Sequence, residues 1–208
     1  MNETATWDLI HQERARLADT LSRLSPEQWS HPSLCDGWNV QLMTGHVVAG
    51  AEQTTGHFLS GFAASLFRFD VMTDVDAHRL GALAPDVLVQ RLRATTTTTN
   101  HPPAPITAML GEVVAHAEDI CLPLGLTSGV SNEAMVETLT TFANSGFPIG
   151  SKKRVTGLTL HATDLGWSHG AGPVVEGPAT WLMLAMLSRP SSLPHLTGDG
   201  VAILNSRL

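Results

Sequence analysis

The chain has 208 residues, 43% hydrophobic and 15% charged, which is enough apolar material for one domain with an appendage or two small domains and excludes general disorder. The formal net charge of −7 argues against a nucleic-acid-binding surface, which requires clustered lysines and arginines. No apolar run reaches the roughly 18 residues of a membrane span, so neither a nucleic acid nor a membrane is an expected partner.

The amino-terminal residues and the cysteines indicate a cytoplasmic protein. Glu3, Asp8 and Glu13 stand where a secretory signal would have a basic and then an apolar segment. Cys35 and Cys121 form no CxxC pair and no zinc-ribbon spacing. We therefore expect two reduced thiols and no export.

Apolar periodicity predicts helices over the first two thirds of the chain. The first covers residues 4–24 and ends at a Ser-Pro pair. Asn39 is a suitable N-cap for a long second helix over 40–67. A break with a short helix is expected over 70–85. A third long helix follows over 86–99, with its end weakened by a run of β-branched threonines.

The prolines of NHPPAPI end the third helix. A fourth follows in the stretch around GEVVAHAEDICLPLG, and Ser131 is the predicted N-cap of a fifth, which ends near Gly146. Glycines then recur, and the strand-like run 158–163 predicts a small antiparallel sheet. We predict antiparallel helices over 1–146 and a small α+β domain over 147–208, with an apolar helix and a short terminal helix in the latter.

Residues 111–125 combine helical periodicity with charged side chains on the apolar side. Glu112 and His116 are one turn apart, and Asp119 follows His116 by three residues. A carboxylate taken out of water without a partner is costly. Compensation is therefore expected from a buried arginine, a hydrogen-bond network or a metal ion.

A metal site would need a third ligand from another helix. Glutamate and histidine at i and i+4 stand about 6 Å apart, close enough to hold one ion jointly. A catalytic zinc generally takes three protein ligands, and in helical bundles these come from facing helices. His46 is the best candidate, since Gly45 and Gly50 beside it leave room for a neighbour or a ligand.

The residues alone leave other interpretations open. His46 and His116 would be ordinary core histidines if Glu112 paired with an arginine such as Arg91. Asp119 either orients His116 through the ring nitrogen that binds no metal or forms a salt bridge on the flank of the bundle.

Three stretches in order resemble the DinB-like, mycothiol-dependent maleylpyruvate isomerase superfamily. LCDGWNVQLMTGHVVAG resembles the start of the family's second helix, where C-x-G-W-[ST]-V leads to a metal-binding histidine. GEVVAHAEDICLPLG resembles the later helix, where a glutamate and a histidine four apart complete the metal triad and an aspartate follows. LTLHATDLGWSHGAGPVVEGPATWLMLAMLSR resembles the carboxy-terminal region. Asp36 replaces a frequent proline, and Asn39 replaces Ser or Thr.

The resemblance implies a mainly α fold, a DinB-like antiparallel four-helix bundle with a small α+β unit. It implies that His46, Glu112 and His116 bind the metal. Two nitrogens and one oxygen suit Zn²⁺ best and also accept Ni²⁺ or Fe²⁺. It further implies that mycothiol, a low-molecular-weight thiol, is activated there for transfer to, or isomerisation of, a small electrophile, in the gap between the two domains.

Two other functions remain open at this stage. A metal-dependent hydrolase would use water in place of a thiol, with Asp119 as the candidate base. A non-catalytic bundle would keep the site and bind only a metal or a small ligand. The roles of four further residues are also open between turn chemistry and substrate contact: His161, Asp164, Trp167 and His169. The basic residues 152–154 are expected to be a solvated loop, or else to meet an acidic substrate.

Overall fold

The computed structural model describes residues 2–146 and 149–208. The chain packs as two compact units, Met1–Val130 and Ser131–Leu208. The first unit is helical and the second combines helices with a small sheet, so the predicted mainly α class is confirmed.

The first unit contains a four-helix bundle. Helices α1 and α3 each pack against both α6 and α7, while α5 lies along α3. Fully buried side chains such as Ile10, Met43, Leu88 and Leu110 come from all four bundle helices. The helices are α1 (Glu3–Leu21), α2 (Pro26–Ser30), α3 (Val40–Glu52), α4 (Thr55–Ala64), α5 (Phe69–Gly81), α6 (Pro85–Ala94), which continues into a 3₁₀ turn (Thr95–Thr97), and α7 (Ile106–Cys121).

The predicted long second helix is wrong, because the chain breaks after Glu52. Gln53 leaves the helical region with ψ at 125°. The Thr54 hydroxyl then accepts the backbone N–H of His57 at 3.2 Å and begins a new helix, α4. A hydroxyl that can bond to the backbone in this way favours a helix start over a helix interior.

Over 70–85, where a break with a short helix is predicted, the helix takes up most of the segment, since Phe69–Gly81 forms the 13-residue helix α5. This helix lies unusually close to α3. A Cβ built on Gly45 would lie 2.5 Å from the backbone nitrogen of Gly81 and 2.7 Å from the carbonyl oxygen of Ala77. The two backbones therefore touch where two glycines face each other, a contact that the polar sequence of α5 does not reveal.

The second unit is a small mixed α and β structure. The predicted N-cap is confirmed, since the Ser131 hydroxyl accepts the Ala134 N–H at 3.3 Å. Its elements are α8 (Asn132–Ala143), α9 (Ser151–Val155), β1 (Thr159–Ala162), β2 (Ser168–Gly170), β3 (Val174–Gly177), α10 (Ala179–Met186), a 3₁₀ segment (Pro190–His195) and α11 (Val201–Asn205).

The sheet has the order β2-β1-β3, with β1 antiparallel to β2 and parallel to β3. The prediction of a wholly antiparallel sheet is therefore wrong. The connection from β2 to β3 crosses the chain just before β1 at close range, since a Cβ on Gly170 or Gly172 would overlap the carbonyl oxygen of Leu158 or Gly157. Both glycines have positive φ, 83° and 137°. Glycine thus permits the crossing that delivers β3 to the far edge of β1.

The predicted domain boundary between residues 146 and 147 remains a prediction. In packing terms α8, which precedes that boundary, contacts α9 and α10 within the second unit. Within residues 2–146 and 149–208, no helix is both long enough and apolar enough to span a bilayer.

Candidate metal centre

Helices α3 and α7 bring the three predicted ligands together. His46 on α3 places Nε2 3.9 Å from Oε1 of Glu112 on α7. The rings of His46 and His116 are 4.9 Å apart, between centroids, and nearly perpendicular at 79°. Two imidazoles and one carboxylate therefore converge at the contact between two bundle helices, although His46 is far from the other two in sequence.

Asp119 holds the ring of His116. Its carboxylate is completely buried, and Oδ2 lies 3.0 Å from Nδ1 of His116. When Nδ1–H donates to a carboxylate, Nε2 carries the free lone pair and the ring orientation is set. This geometry corresponds to the orienting role considered for Asp119, and full burial is inconsistent with a salt bridge on the flank of the bundle.

The surroundings of Glu112 disfavour the charged form of its carboxyl group. Burial raises the pKa of its carboxyl group above the ordinary value, while His116 and Arg14 act in the opposite direction. Among the described residues, its carboxylate makes no hydrogen bond to the protein and only approaches His46. An ionised carboxylate in such surroundings needs a cation nearby.

Arg14 on α1 is a buried arginine that supplies positive charge near Glu112. It was not identified from the sequence. The residue is 2% exposed, and its guanidinium donates a hydrogen bond to the carbonyl oxygen of Thr95 at 3.1 Å. Together with Glu112 it lines a cavity of about 10 Å³, and burial lowers the pKa of Arg14 to about 10. One sequence feature could have identified Arg14 as buried, namely its place in the apolar stripe of α1 between Ile10 and Leu17.

Arg91, the arginine considered from the sequence, is engaged elsewhere. Its Nε donates to Oε1 of Glu52 at 2.8 Å, and Nη2 makes a second bond to Oε2 of the same carboxylate. The pairing of Glu112 with Arg91 is therefore wrong, and Arg14 takes the place of Arg91 in that alternative.

The loop before α3 supplies an aromatic neighbour to the site. The ring of Trp38, from the CDGW stretch, lies 5.2 Å from that of His46 at an angle of 57°. Its indole nitrogen donates to Oδ1 of Asp74 at 3.3 Å. The same loop is tied to α7 by a hydrogen bond from the backbone N–H of Leu34 to the carbonyl oxygen of Asp119 at 3.0 Å.

The donor set suits a divalent ion in its chemistry, because imidazole and carboxylate are common ligands of Zn²⁺, Ni²⁺ and Fe²⁺. The positions do not yet form a closed site. Across residues 2–146 and 149–208, no group of three or more His, Cys, Asp or Glu side chains is arranged to hold a metal ion. Ion binding would therefore require movement of these side chains.

A groove of about 430 Å³ begins one turn beyond His46, at Ala49. Residues of α3, α4, α5 and α6 line it, including the Glu52–Arg91 ion pair and the exposed His57. This volume is in the range of small-molecule sites.

The histidine and aspartate of the carboxy-terminal motif have structural partners. Oδ1 of Asp164 accepts the backbone N–H of Ala179 at 2.8 Å, at the start of α10. Nδ1 of His161 lies 2.8 Å from the hydroxyl of Ser168 on the neighbouring strand. These contacts support turn and strand chemistry as the role of both residues.

The aromatic residues of that motif pack within the second unit. The indole N–H of Trp167 donates to the hydroxyl of Thr140 at 3.0 Å. His169 stacks on Trp167 with the rings 6.1 Å apart. The basic residues 152–154 belong to helix α9, and there Arg154 donates to the carbonyl oxygens of Ile149 and Met186, both at 2.8 Å.

Neither cysteine lies among the candidate ligands. Neither takes part in a disulfide bond within the described residues, and Cys35 is half-buried while Cys121 is buried. Burial, with a smaller contribution from the charge of Glu118, raises the pKa of Cys121 to about 12. Cys121 is therefore an unreactive thiol at neutral pH.

Comparison with known proteins locates the fold. Residues 10–104 match the family described as "Mycothiol maleylpyruvate isomerase N-terminal domain". Two crystal structures are similar, one of the mycothiol-dependent maleylpyruvate isomerase and one of a histidine-to-alanine mutant. The mutant is 15% identical with a TM-score of 0.65, and the other is 14% identical with a TM-score of 0.64. Each alignment covers 96% of this chain and 93% of the other.

At such identities the likeness establishes the fold, and the predicted DinB-like class is confirmed. No curated protein matches the chain.

Proposed function

We propose that the protein is a metal- and thiol-dependent enzyme of the DinB-like, mycothiol-dependent maleylpyruvate isomerase superfamily, because residues 10–104 match the model of that family's amino-terminal domain. It would isomerise a small electrophile or transfer a thiol to it. His46, Glu112 and His116 would hold the ion, with Zn²⁺ preferred and Ni²⁺ or Fe²⁺ accepted. The names of the structural relatives make mycothiol the first thiol to test.

The observation that carries the proposal is the arrangement around His116. Asp119 occupies Nδ1, which leaves Nε2 as the ring nitrogen available to an ion. His46 and Glu112 stand beside it. A histidine oriented by a buried carboxylate, next to a second histidine and a carboxylate that accepts no hydrogen bond from residues 2–146 and 149–208, is typical of a metal site.

Each residue has a distinct part in this proposal. His46 and His116 provide neutral imidazole nitrogens, and Glu112 provides the charge. Asp119 fixes the tautomer of His116, and Trp38 packs against His46 and limits the directions in which its ring turns. When bound, a divalent ion would supply the positive charge that keeps a thiol deprotonated at neutral pH.

The thiol must come from outside the protein. Cys121 has a pKa of about 12, and neither cysteine lies among the proposed ligands. We also propose that the reaction takes place in the cytoplasm, where a buried thiol such as that of Cys121 stays reduced. The hydrolase alternative loses support, because Asp119, its candidate base, is buried and bonded to His116.

The metal part of the proposal is tested by elemental analysis and titration with Zn²⁺. Purified wild-type protein is expected to bind about one equivalent, and His46→Ala is expected to bind none. His57→Ala is the matched control, since His57 is an exposed histidine on the next helix, and it should bind as wild type does. Less than about a tenth of an equivalent in wild type, with no uptake of zinc, nickel or iron, would exclude the metal site.

The thiol part requires a separate measurement. Mycothiol is titrated calorimetrically into metal-loaded and metal-stripped protein. Binding only to the metal-loaded form supports the proposal. Equal binding to both forms, or none to either, refutes metal-dependent thiol activation, and hydrolysis without thiol would support the alternative.

A further inference from the structure

We propose that Gly50 is a positioning residue of this site, required because the carboxylate of Glu112 occupies the space where a side chain at position 50 would lie. The inference rests on the proposed metal function of Glu112. It adds a residue that touches no ion and acts only through the glutamate.

The Glu112 side chain of α7 contacts α3 at Gly50. A Cβ built on Gly50 would overlap Oε1 of Glu112 and would lie 2.8 Å from its Cδ and 3.0 Å from its Oε2. The whole carboxylate therefore rests against the backbone of α3. Glycine is the only residue that leaves this space free.

Backbone conformation does not explain the glycine. Gly50 lies inside α3, and its φ is not positive. A glycine inside a helix costs about 1 kcal/mol relative to alanine. The helix would thus be more stable with alanine, and the space for Glu112 is the feature that only glycine provides.

The position also places Glu112 beside His46. Gly50 follows His46 by four residues, so both lie on one face of α3. The carboxylate that rests on Gly50 is therefore the one that approaches Nε2 of His46 at 3.9 Å.

The Glu112 side chain also borders a small cavity. Gly50 and Glu112 line the cavity of about 10 Å³ together with Arg14, and a cavity of this size holds about one water molecule. A methyl group at position 50 would take part of this space and drive the carboxylate away from His46.

Two other glycines separate this effect from general effects of a Gly→Ala change. At Gly45 an added Cβ meets the backbone of Gly81, so that substitution disturbs helix packing. At Gly56, inside α4, an added Cβ would lie 3.9 Å from the Thr54 hydroxyl and no nearer to any other described residue, so that substitution is harmless. Gly50 differs from both, because the obstacle is the end of a flexible side chain that can move without unfolding the protein.

The test compares Gly50→Ala, Gly56→Ala and wild type by calorimetric titration with Zn²⁺ alone and by thermal unfolding. Gly50→Ala is expected to weaken zinc binding at least about tenfold, as for other losses of ligand support, without a fall in melting temperature. Gly56→Ala should bind zinc as wild type does. Zinc affinity of Gly50→Ala within about twofold of wild type would overturn the proposal.

A rescue variant excludes a merely structural role. Aspartate at position 112 is one methylene shorter, so its carboxylate withdraws from α3. Gly50→Ala combined with Glu112→Asp is expected to bind zinc more tightly than the product of the two single effects allows. Simple additivity of the two single effects would contradict the steric explanation.

A crystal structure of metal-free Gly50→Ala decides the matter independently of metal binding. The carboxylate of Glu112 should be displaced from α3. Finding it in its original place refutes the proposal, even if wild type takes up no zinc. Displacement of Glu112 in a protein whose wild type binds no ion would refute only the proposed function.

Discussion

Removal of the Asp119 carboxylate should weaken metal binding and leave the fold intact. We consider Asp119→Ala and Asp119→Asn. Alanine removes the partner of His116 Nδ1, which lies 3.0 Å away. Asparagine keeps an oxygen that can accept the same bond but removes the charge.

The expected magnitude follows from the burial of this bond. Asp119 has no exposure, and the side chain of His116 is only 14% exposed, so water replaces the lost partner poorly. Loss of such a support costs roughly 10- to 100-fold in metal affinity, or about 1.4 to 2.7 kcal/mol. Asparagine should lose less than alanine, since a neutral hydrogen bond remains.

Stability should not follow the same order as affinity. Burial raises the pKa of the neighbouring Glu118 carboxyl group, and the charge of Asp119 raises it further. Removing that charge relieves Glu118 and offsets part of the cost of the lost bond, about 1–3 kcal/mol for an unsatisfied buried group. Zinc affinity should therefore fall more clearly than the free energy of unfolding, above all in Asp119→Asn.

Glu118→Gln is the matched control for this experiment. Glu118 is also a buried carboxylate on α7, but it accepts a hydrogen bond from the hydroxyl of Ser128 at 2.6 Å and none from His116. It should leave zinc affinity unchanged. Calorimetry on the three variants gives the comparison, and wild-type affinity in both Asp119 variants would refute the orienting role of this carboxylate.

Two further predictions concern packing and reactivity. Gly45→Ala should lower the free energy of unfolding by about 1–3 kcal/mol in urea denaturation, because its Cβ would meet Gly81 of α5 at 2.5 Å; unchanged stability would contradict the close approach of the two helices. Native protein at pH 8 should react with Ellman's reagent only through the half-buried Cys35, because burial raises the pKa of Cys121 to about 12. Cys35→Ser should then abolish native labelling, and rapid reaction of two thiols in wild type would refute the burial of Cys121.

Local patterns determined much of the fold. Asn39 and Ser131 cap helices as predicted, since a side chain that bonds the first N–H groups acts within one turn. The spacing of Glu112, His116 and Asp119 likewise placed all three on one side of α7, because residues three and four apart share a helix face. Such features depend only on residues close in sequence, so a sequence contains them completely.

Features that depend on another part of the chain were decided by the tertiary structure. The sequence showed that Glu112 needed compensation, but only packing brought Arg14 to it and sent Arg91 to Glu52. The parallel pairing of β3 likewise depends on where the chain crosses, not on the strand's own residues. Periodicity identifies which face of an element is buried, whereas the element that covers that face is selected by packing of the whole chain. Gly50 shows this limit of sequence analysis. The need for glycine at position 50 follows only from the position of the Glu112 carboxylate in the tertiary structure.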